Sequence, residues 1–224
     1  MPFSERTMLA IDELCDASSL VEHPLIAAWG EGTLNRDELR AFATQYYHHI
    51  EAFPRYVSTV HSITPDALTR RALLEVLWSA ESRTPTAADL WLQTCAALGL
   101  FSDSVRSAQC TPTTEACTND FFYLCQSSTV SGLAALYAWS RQLPATCKVQ
   151  CEALKQEYGM NSGPGLEFFE VCGYSGAAHA QSLRVALKHS ICNAESAREA
   201  TGAADAAMTA LRGMFSGAIP AAVR

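Results

Sequence analysis

The stretch NRDELRAFATQYYHHIEAFPRYVSTVHS, residues 35–62, carries apolar or aromatic side chains at Leu39, Phe42, Ala43, Tyr46, Tyr47, Ile50, Phe53 and Val57. Steps of three and four residues place these on one stripe of an α-helix. Asn35 supplies a polar cap at its start. Pro54 falls inside the pattern, where a proline removes one amide donor and crowds the preceding turn, so a kinked helix is expected. A helix of this length with one aromatic stripe has to bury that stripe against other helices.

The flanking sequence repeats the same grammar. TPDALTRRALLEVLWSA, TPTAADLWLQTCAALGL and TPTTEACTNDFFYLC each open on Thr-Pro, a cap residue followed by proline in the first turn, and the second of them closes at Gly99. TVSGLAALYAWSRQLPATCKVQCEALKQEYG is again long, with Pro144 inside it, and the loop MNSGPG follows. LEFFEVCGYSGAAHAQSLRVALKHS and ESAREATGAADAAMTALRGMFSG complete the set. No segment alternates apolar and polar residues with a period of two, so no sheet is expected. Residues 1–224 are therefore read as a single all-α domain, a bundle of about seven or eight helices, several of them long and bent.

Composition limits the function. The net charge is −7, with 16 Lys and Arg and no basic run, which argues against a nucleic-acid surface. No apolar stretch approaches the roughly 20 residues that cross a bilayer, and the N-terminal MPFSERTMLAIDELCD lacks the order of a signal peptide. A soluble cytoplasmic protein with no membrane partner is expected. The cysteines at 15, 95, 110, 117, 125, 147, 151, 172 and 192 form no CxxC pair and read as ordinary buried thiols.

The opening helix also holds the first candidate site residues. Tyr47, Glu51, Pro54 and Ser58 share one stripe, and His48, Ala52, Arg55 and Thr59 the adjacent one. Glu51 and Arg55 form either a solvated i,i+4 pair or a device that orients an anionic group on a ligand. His48 and His49 point about 100° apart, so at most one of them faces a given pocket.

HPLIAAWGEGTLNRDELRAFATQYYHHIEAFPRYVSTVHS, DLWLQTCAALGL and SGLAALYAWSRQLP together resemble the heme-oxygenase-like superfamily, over about residues 20–190. That superfamily includes the TenA thiaminases, the cofactor-free pyrroloquinoline-quinone synthase and di-iron oxidases. The resemblance is greatest to the CADD-type 4-aminobenzoate synthases. The resemblance implies a heme-oxygenase-like bundle and a ligand set for two metal ions, which falls here on Ala80, Ala87, Ser140, Cys172, Gly176 and His179. Only His179 keeps a metal-binding side chain of the expected type. The tyrosine those synthases sacrifice falls on Ile26, after His23, and their amine-donating lysine falls near Gln150, with Lys148 two residues away. A pair of iron ions needs several carboxylates and imidazoles converging, so the resemblance implies a degenerate di-iron site, and no metal and no cofactor are expected.

The replacements are small, so the pocket is emptied rather than refilled, and an empty cavity costs roughly 20–30 cal/mol per Å³. The expectation is a metal-independent enzyme of specialised biosynthesis, binding a small aromatic or conjugated substrate. His179, Glu51 and Arg55 are its candidate catalytic residues; Tyr47, Trp139, Ser140 and Cys172 are its candidate substrate-binding residues. The chemistry expected is acid/base or cofactor-free oxidation. Cys172 and His179 lie seven residues apart, roughly 10 Å along a helix, too far for a nucleophile–base pair unless CGYSG breaks the helix. The competing expectation is a non-catalytic binding module. Either protein is expected to work as a homodimer or as the dimer partner of an active paralogue.

Overall fold

The computed structural model describes residues 2–218. Among the described residues there are α-helices and one 3-10 turn and no strand, as the periodicity predicts. In chain order they are α1 (Phe3–Ala17), α2 (Pro24–Gly30), α3 (Arg36–Ile63), α4 (Ala67–Glu81), α5 (Ala87–Ala97), α6 (Ser102–Ser107), α7 (Pro112–Ser127), α8 (Thr129–Gln156), a 3-10 turn (Pro164–Leu166), α9 (Glu167–Ser190) and α10 (Ala194–Gly217). The count exceeds the expected seven or eight because α2 and α6 are too short to show a period and α1 adds an amphipathic helix before the segments read as helical.

Helix starts follow side-chain chemistry. Asn35 accepts from the Asp37 and Glu38 amides, and the Glu38 carboxylate takes the Asn35 amide at 2.8 Å. This reciprocal cap satisfies donors that no earlier turn reaches. Thr111 caps α7 with Pro112 in its first turn. The other two Thr-Pro pairs stand just outside their helices, which are capped one step later by Asp66 and Thr86. At the far end of α5 the chain turns through Gly99 at φ +85°, with Gly99 N–H and Leu100 N–H donating to the Ala96 and Cys95 carbonyls. Only glycine adopts that turn without strain. Both α3 and α8 run unbroken through their internal prolines, Pro54 and Pro144.

The core is aromatic at its centre. Trp29, Phe42, Trp91, Phe121, Phe168 and Phe215 are fully buried. Phe42 meets Trp91 and Phe215 edge-on, and the Trp91 indole donates to the Ala43 carbonyl at 2.8 Å, which fixes α5 against α3. Buried amides tie the remaining elements. Gln142 on α8 bridges Cys15 and Leu20, and Gln45 on α3 bridges Gln109 and Thr111. On the outside, Asp12 of α1 receives both Tyr137 of α8 and Arg184 of α9. The result leaves α3, α4, α5, α8 and α9 converging on one interior space.

Candidate functional site

That space is a cavity of about 210 Å³. α3 contributes Ile50, Glu51, Phe53 and Pro54; α4 contributes Ser79, Ala80 and Glu81; α5 contributes Ala87 and Ala88. Trp139 and Leu143 come from α8, and Phe168, Val171, Cys172, Ser175 and His179 from α9. Arg83 and Thr86 lie in the loop between α4 and α5. Flat rings form the interior: Trp139 lies 4.5 Å from Phe53, and His179 stacks on Phe53 at 5.9 Å with an interplanar angle of 20°. Charged groups meet the cavity only through Glu51, Glu81 and Arg83, all exposed residues.

Polar atoms inside the wall lack partners. Nε2 of His179, Nε1 of Trp139 and Oγ of Ser140 are buried without a hydrogen bond. The Trp139 indole faces the Tyr46 hydroxyl without reaching hydrogen-bond geometry. Buried polar groups are ordinarily satisfied by protein, water or ligand, and these three find no partner within the protein. Burial pushes the His179 pKa down to about 4, leaving a neutral imidazole at pH 7. It also pushes the Cys172 thiol up to about 12, with Arg83 pulling weakly the other way, so Cys172 stays protonated. A protonated thiol is no nucleophile. α9 is continuous across CGYSG, so Cys172 and His179 are two turns apart on one face and share the cavity wall.

The residues expected from the sequence divide. Glu51, Trp139, Cys172 and His179 line the cavity. Arg55 does not. Its guanidinium lies 4.9 Å from the centre of the Phe122 ring, in a separate shallow groove with Leu74, Leu77 and Trp78, because α3 turns that stripe away from α9. No salt bridge joins Glu51 and Arg55 among the described residues. Tyr47 is buried beside His48 and lies outside the cavity lining, and Ser140 is fully buried behind it. Neither histidine of the opening stretch lines the cavity. His49 is enclosed by Phe121 and Trp139 at ring distances of 4.8 and 4.9 Å, with both nitrogens unpartnered and its pKa lowered by burial to about 3. His48 is partly buried, and its lowered pKa again reflects burial first.

Arg83, Glu81, Phe53, Phe168 and Ser175 line the cavity but were not among the candidates. The aromatic ones were legible as core positions; Arg83 sits in a loop, where no periodicity points a side chain anywhere.

Of the six positions that would hold a metal pair, Ala80, Ala87, Cys172 and His179 line the cavity, and Ser140 and Gly176 meet just behind it. A Cβ added at Gly176 would stand 2.7 Å from Leu143 Cβ and 3.3 Å from the Ser140 carbonyl oxygen. α8 and α9 therefore approach too closely here for an acidic side chain. One neutral imidazole and one protonated thiol do not fit a pair of metal ions, and no cluster of three or more His, Cys, Asp or Glu among the described residues is arranged to hold one. His23, near the sacrificed-tyrosine position, serves the fold: its Nδ1 caps α2 and its Nε2 meets Ser216 Oγ at 3.0 Å. Ile26 is fully buried, and Gln150 is buried with its Nε2 unpartnered.

A sequence profile of the TENA/THI-4/PQQC family matches residues 14–203. The chain is 30% identical over 179 residues to a 4-aminobenzoate synthase of Chlamydia muridarum, covering 80% of this chain and 76% of that one. It is 32% identical over 189 residues to a 4-aminobenzoate synthase of Nitrosomonas europaea, covering 77% and 74% of the two chains. Among solved structures, a TenA homologue from Pseudomonas syringae pv. tomato superposes with a TM-score of 0.78 at 15% identity, over 97% of this chain and 93% of that one. A CADD-like protein from Nostoc punctiforme gives 0.77 at 14% identity, over 96% and 97%. The cavity, the bundle around it and the matched sequence agree: this chain belongs to the TENA/THI-4/PQQC family and has its heme-oxygenase-like fold.

Proposed function

We propose that the protein binds a small planar, conjugated molecule between Trp139, Phe53 and Phe168 and transforms it without a metal centre, with His179 as the proton-transferring group. The observation that carries this reading is the His179 imidazole: buried in the cavity wall, stacked on Phe53, neutral at pH 7 and with its Nε2 unpartnered. A neutral imidazole offers a lone pair as base on one nitrogen and a hydrogen-bond donor on the other. Its conjugate acid is disfavoured by burial until an anion or developing negative charge lies beside it, so proton uptake couples to the ligand's own charge. The relatives named 4-aminobenzoate synthase support an enzymatic role in biosynthesis; the residues that the resemblance implies for a self-supplied substrate fall on Ile26 and near Gln150, which favours a substrate taken from outside.

A second reading, a binding protein that acts as a subunit partner without turnover, draws on the outer face of α4. Leu74 and Trp78 are 52% and 70% exposed there, beside the groove that holds Arg55. Light scattering of wild type and Trp78→Glu tests whether this face joins chains: a wild-type monomer, or a dimer that the variant leaves intact, removes this reading.

The test of the primary reading fills the cavity. Ala80→Leu with Ala87→Leu occupies the emptied positions directly. Thermal-shift screening of monocyclic and bicyclic aromatics should find ligands that raise the wild-type Tm and fail on the filled variant. A filled variant that still binds every hit, or a screen without a hit, contradicts a ligand site here.

A further inference from the structure

The buried part of the cavity wall is neutral, because the charged residues in its lining, Glu51, Glu81 and Arg83, are all exposed. Phe53 and Trp139, from α3 and α8, form its aromatic side. Hydroxyl groups come from α4 and α9: Ser79 and Ser175 line the cavity, both half-buried, and the buried His179 lies one turn beyond Ser175 on the same face of α9. Asp66, the cap of α4, meets His189 near the end of α9 at 3.8 Å, so the two helices run antiparallel from that contact into the cavity. Ser79 and Ser175 each stand about 20 Å along their helix from that ion pair, which brings the two hydroxyls into the cavity at one level.

Hydroxyls inside the helices of this protein commonly bond back to the backbone. Thr44, Thr59, Thr146, Ser190 and Thr201 each donate to the carbonyl four residues earlier. Thr86, the third hydroxyl in the cavity lining, is held by Asp89 as the cap of α5. Ser79 and Ser175 bond to no described residue, and the His179 Nε2 beside them is buried without a partner. Two hydroxyls and one imidazole nitrogen therefore share a wall that carries no charge. A serine hydroxyl both donates and accepts, and a neutral imidazole does either at Nε2. The complementary substituent is one that also donates and accepts, whereas an ion would lose its water here against neutral partners only. We propose that Ser79, Ser175 and His179 form one subsite, which takes an uncharged hydroxyl on the edge of a planar aromatic ligand. The inference rests on the reading of the cavity as a ligand site and adds the substrate class to it.

Calorimetric titration with three probes on one ring system tests it: 2-naphthol, 2-fluoronaphthalene and naphthalene-2-carboxylate. Wild type should bind 2-naphthol about fivefold to a hundredfold more tightly than 2-fluoronaphthalene, the range expected of two or three neutral hydrogen bonds, and more tightly than the carboxylate. Ser79→Ala and Ser175→Ala should each lower the naphthol preference, and the double variant should lower it further while keeping the affinity for 2-fluoronaphthalene. Ser58→Ala is the control: Ser58 is another helix serine without a partner, but it lies in the outer groove beside Arg55, so this variant should match wild type. The preference ratio reports recognition, because loosened packing weakens all probes together. The proposal is overturned if the double variant keeps the wild-type ratio, or if wild type favours the carboxylate. Equal affinity for 2-naphthol and 2-fluoronaphthalene overturns the proposal and leaves the cavity a ligand site; no binding of any probe overturns both.

Discussion

Replacing Gly176 by alanine reads out how closely α8 and α9 approach at the point where the family's metal-binding acid would stand. In a helix interior, alanine is favoured over glycine by about 1 kcal/mol. At Gly176 the added Cβ would lie 2.7 Å from Leu143 Cβ and 3.0 Å from Leu143 Cδ1. Leu143 Cβ is bonded to the α8 backbone, so it yields only if the helix shifts, and overpacking of this kind costs about 1–3 kcal/mol. The net expectation runs from neutral to about 2 kcal/mol destabilising. Gly202, on the exposed face of α10, is the control, because nothing lies within 4 Å of a Cβ added there. Gly202→Ala should stabilise by about 0.5–1 kcal/mol. Urea unfolding should therefore place Gly202→Ala above wild type and Gly176→Ala at or below it, the two variants separated by about 0.5–3 kcal/mol in unfolding free energy. If Gly176→Ala stabilises as much as Gly202→Ala, the two helices have slack, and crowding is not what excludes an acid at this position.

Two further outcomes follow from buried titratable groups. His49, with its pKa near 3, is neutral in the folded protein while the unfolded chain protonates near the ordinary value of 6.5. Its contribution is present above pH 6.5 and is lost as pH falls toward 3, at about 1.4 kcal/mol per pH unit. His49→Leu should flatten the wild-type stability profile over that window in pH-resolved urea unfolding, and a variant with the wild-type slope would contradict the burial argument. The free cysteines should also separate by accessibility. Cys192 is exposed and Cys110 partly so, whereas Cys15, Cys95, Cys117, Cys125, Cys147, Cys151 and Cys172 are buried. A thiol-reactive chromophore should label Cys192 first and Cys110 more slowly, reaching the buried seven only on unfolding; rapid labelling of Cys172 would mean the cavity is open to reagents of that size.

The bundle was legible where periodicity was long. The stripes of α3, α8 and α9 run over six turns or more, and their burial follows the stripe residue by residue, from Leu39 to Val60 on α3. α6 has six residues and α2 seven, too few for a pattern, and α1, though amphipathic, is only four turns long. The Thr-Pro pairs misplaced two starts because Asp66 and Thr86, each just beyond a proline, cap better than the threonine before it. The cavity itself came from family resemblance rather than spacing. Arg55 was chosen because it lies one turn from Glu51, but the curvature of the bundle sends successive turns of α3 to different neighbours, and only a three-dimensional arrangement shows Arg55 over Phe122. Arg83 was invisible for the opposite reason, since a loop side chain has no face to read.

The central claim is that this chain carries a ligand cavity at the positions where the resemblance implies a metal pair. Elemental analysis after anaerobic loading with ferrous iron, followed by desalting, addresses it most directly. Alanine at positions 80 and 87, serine at 140, a protonated thiol at 172, glycine at 176 and one neutral imidazole at 179 predict that no stoichiometric iron is retained. Retention of two tightly held ions per chain would contradict the account.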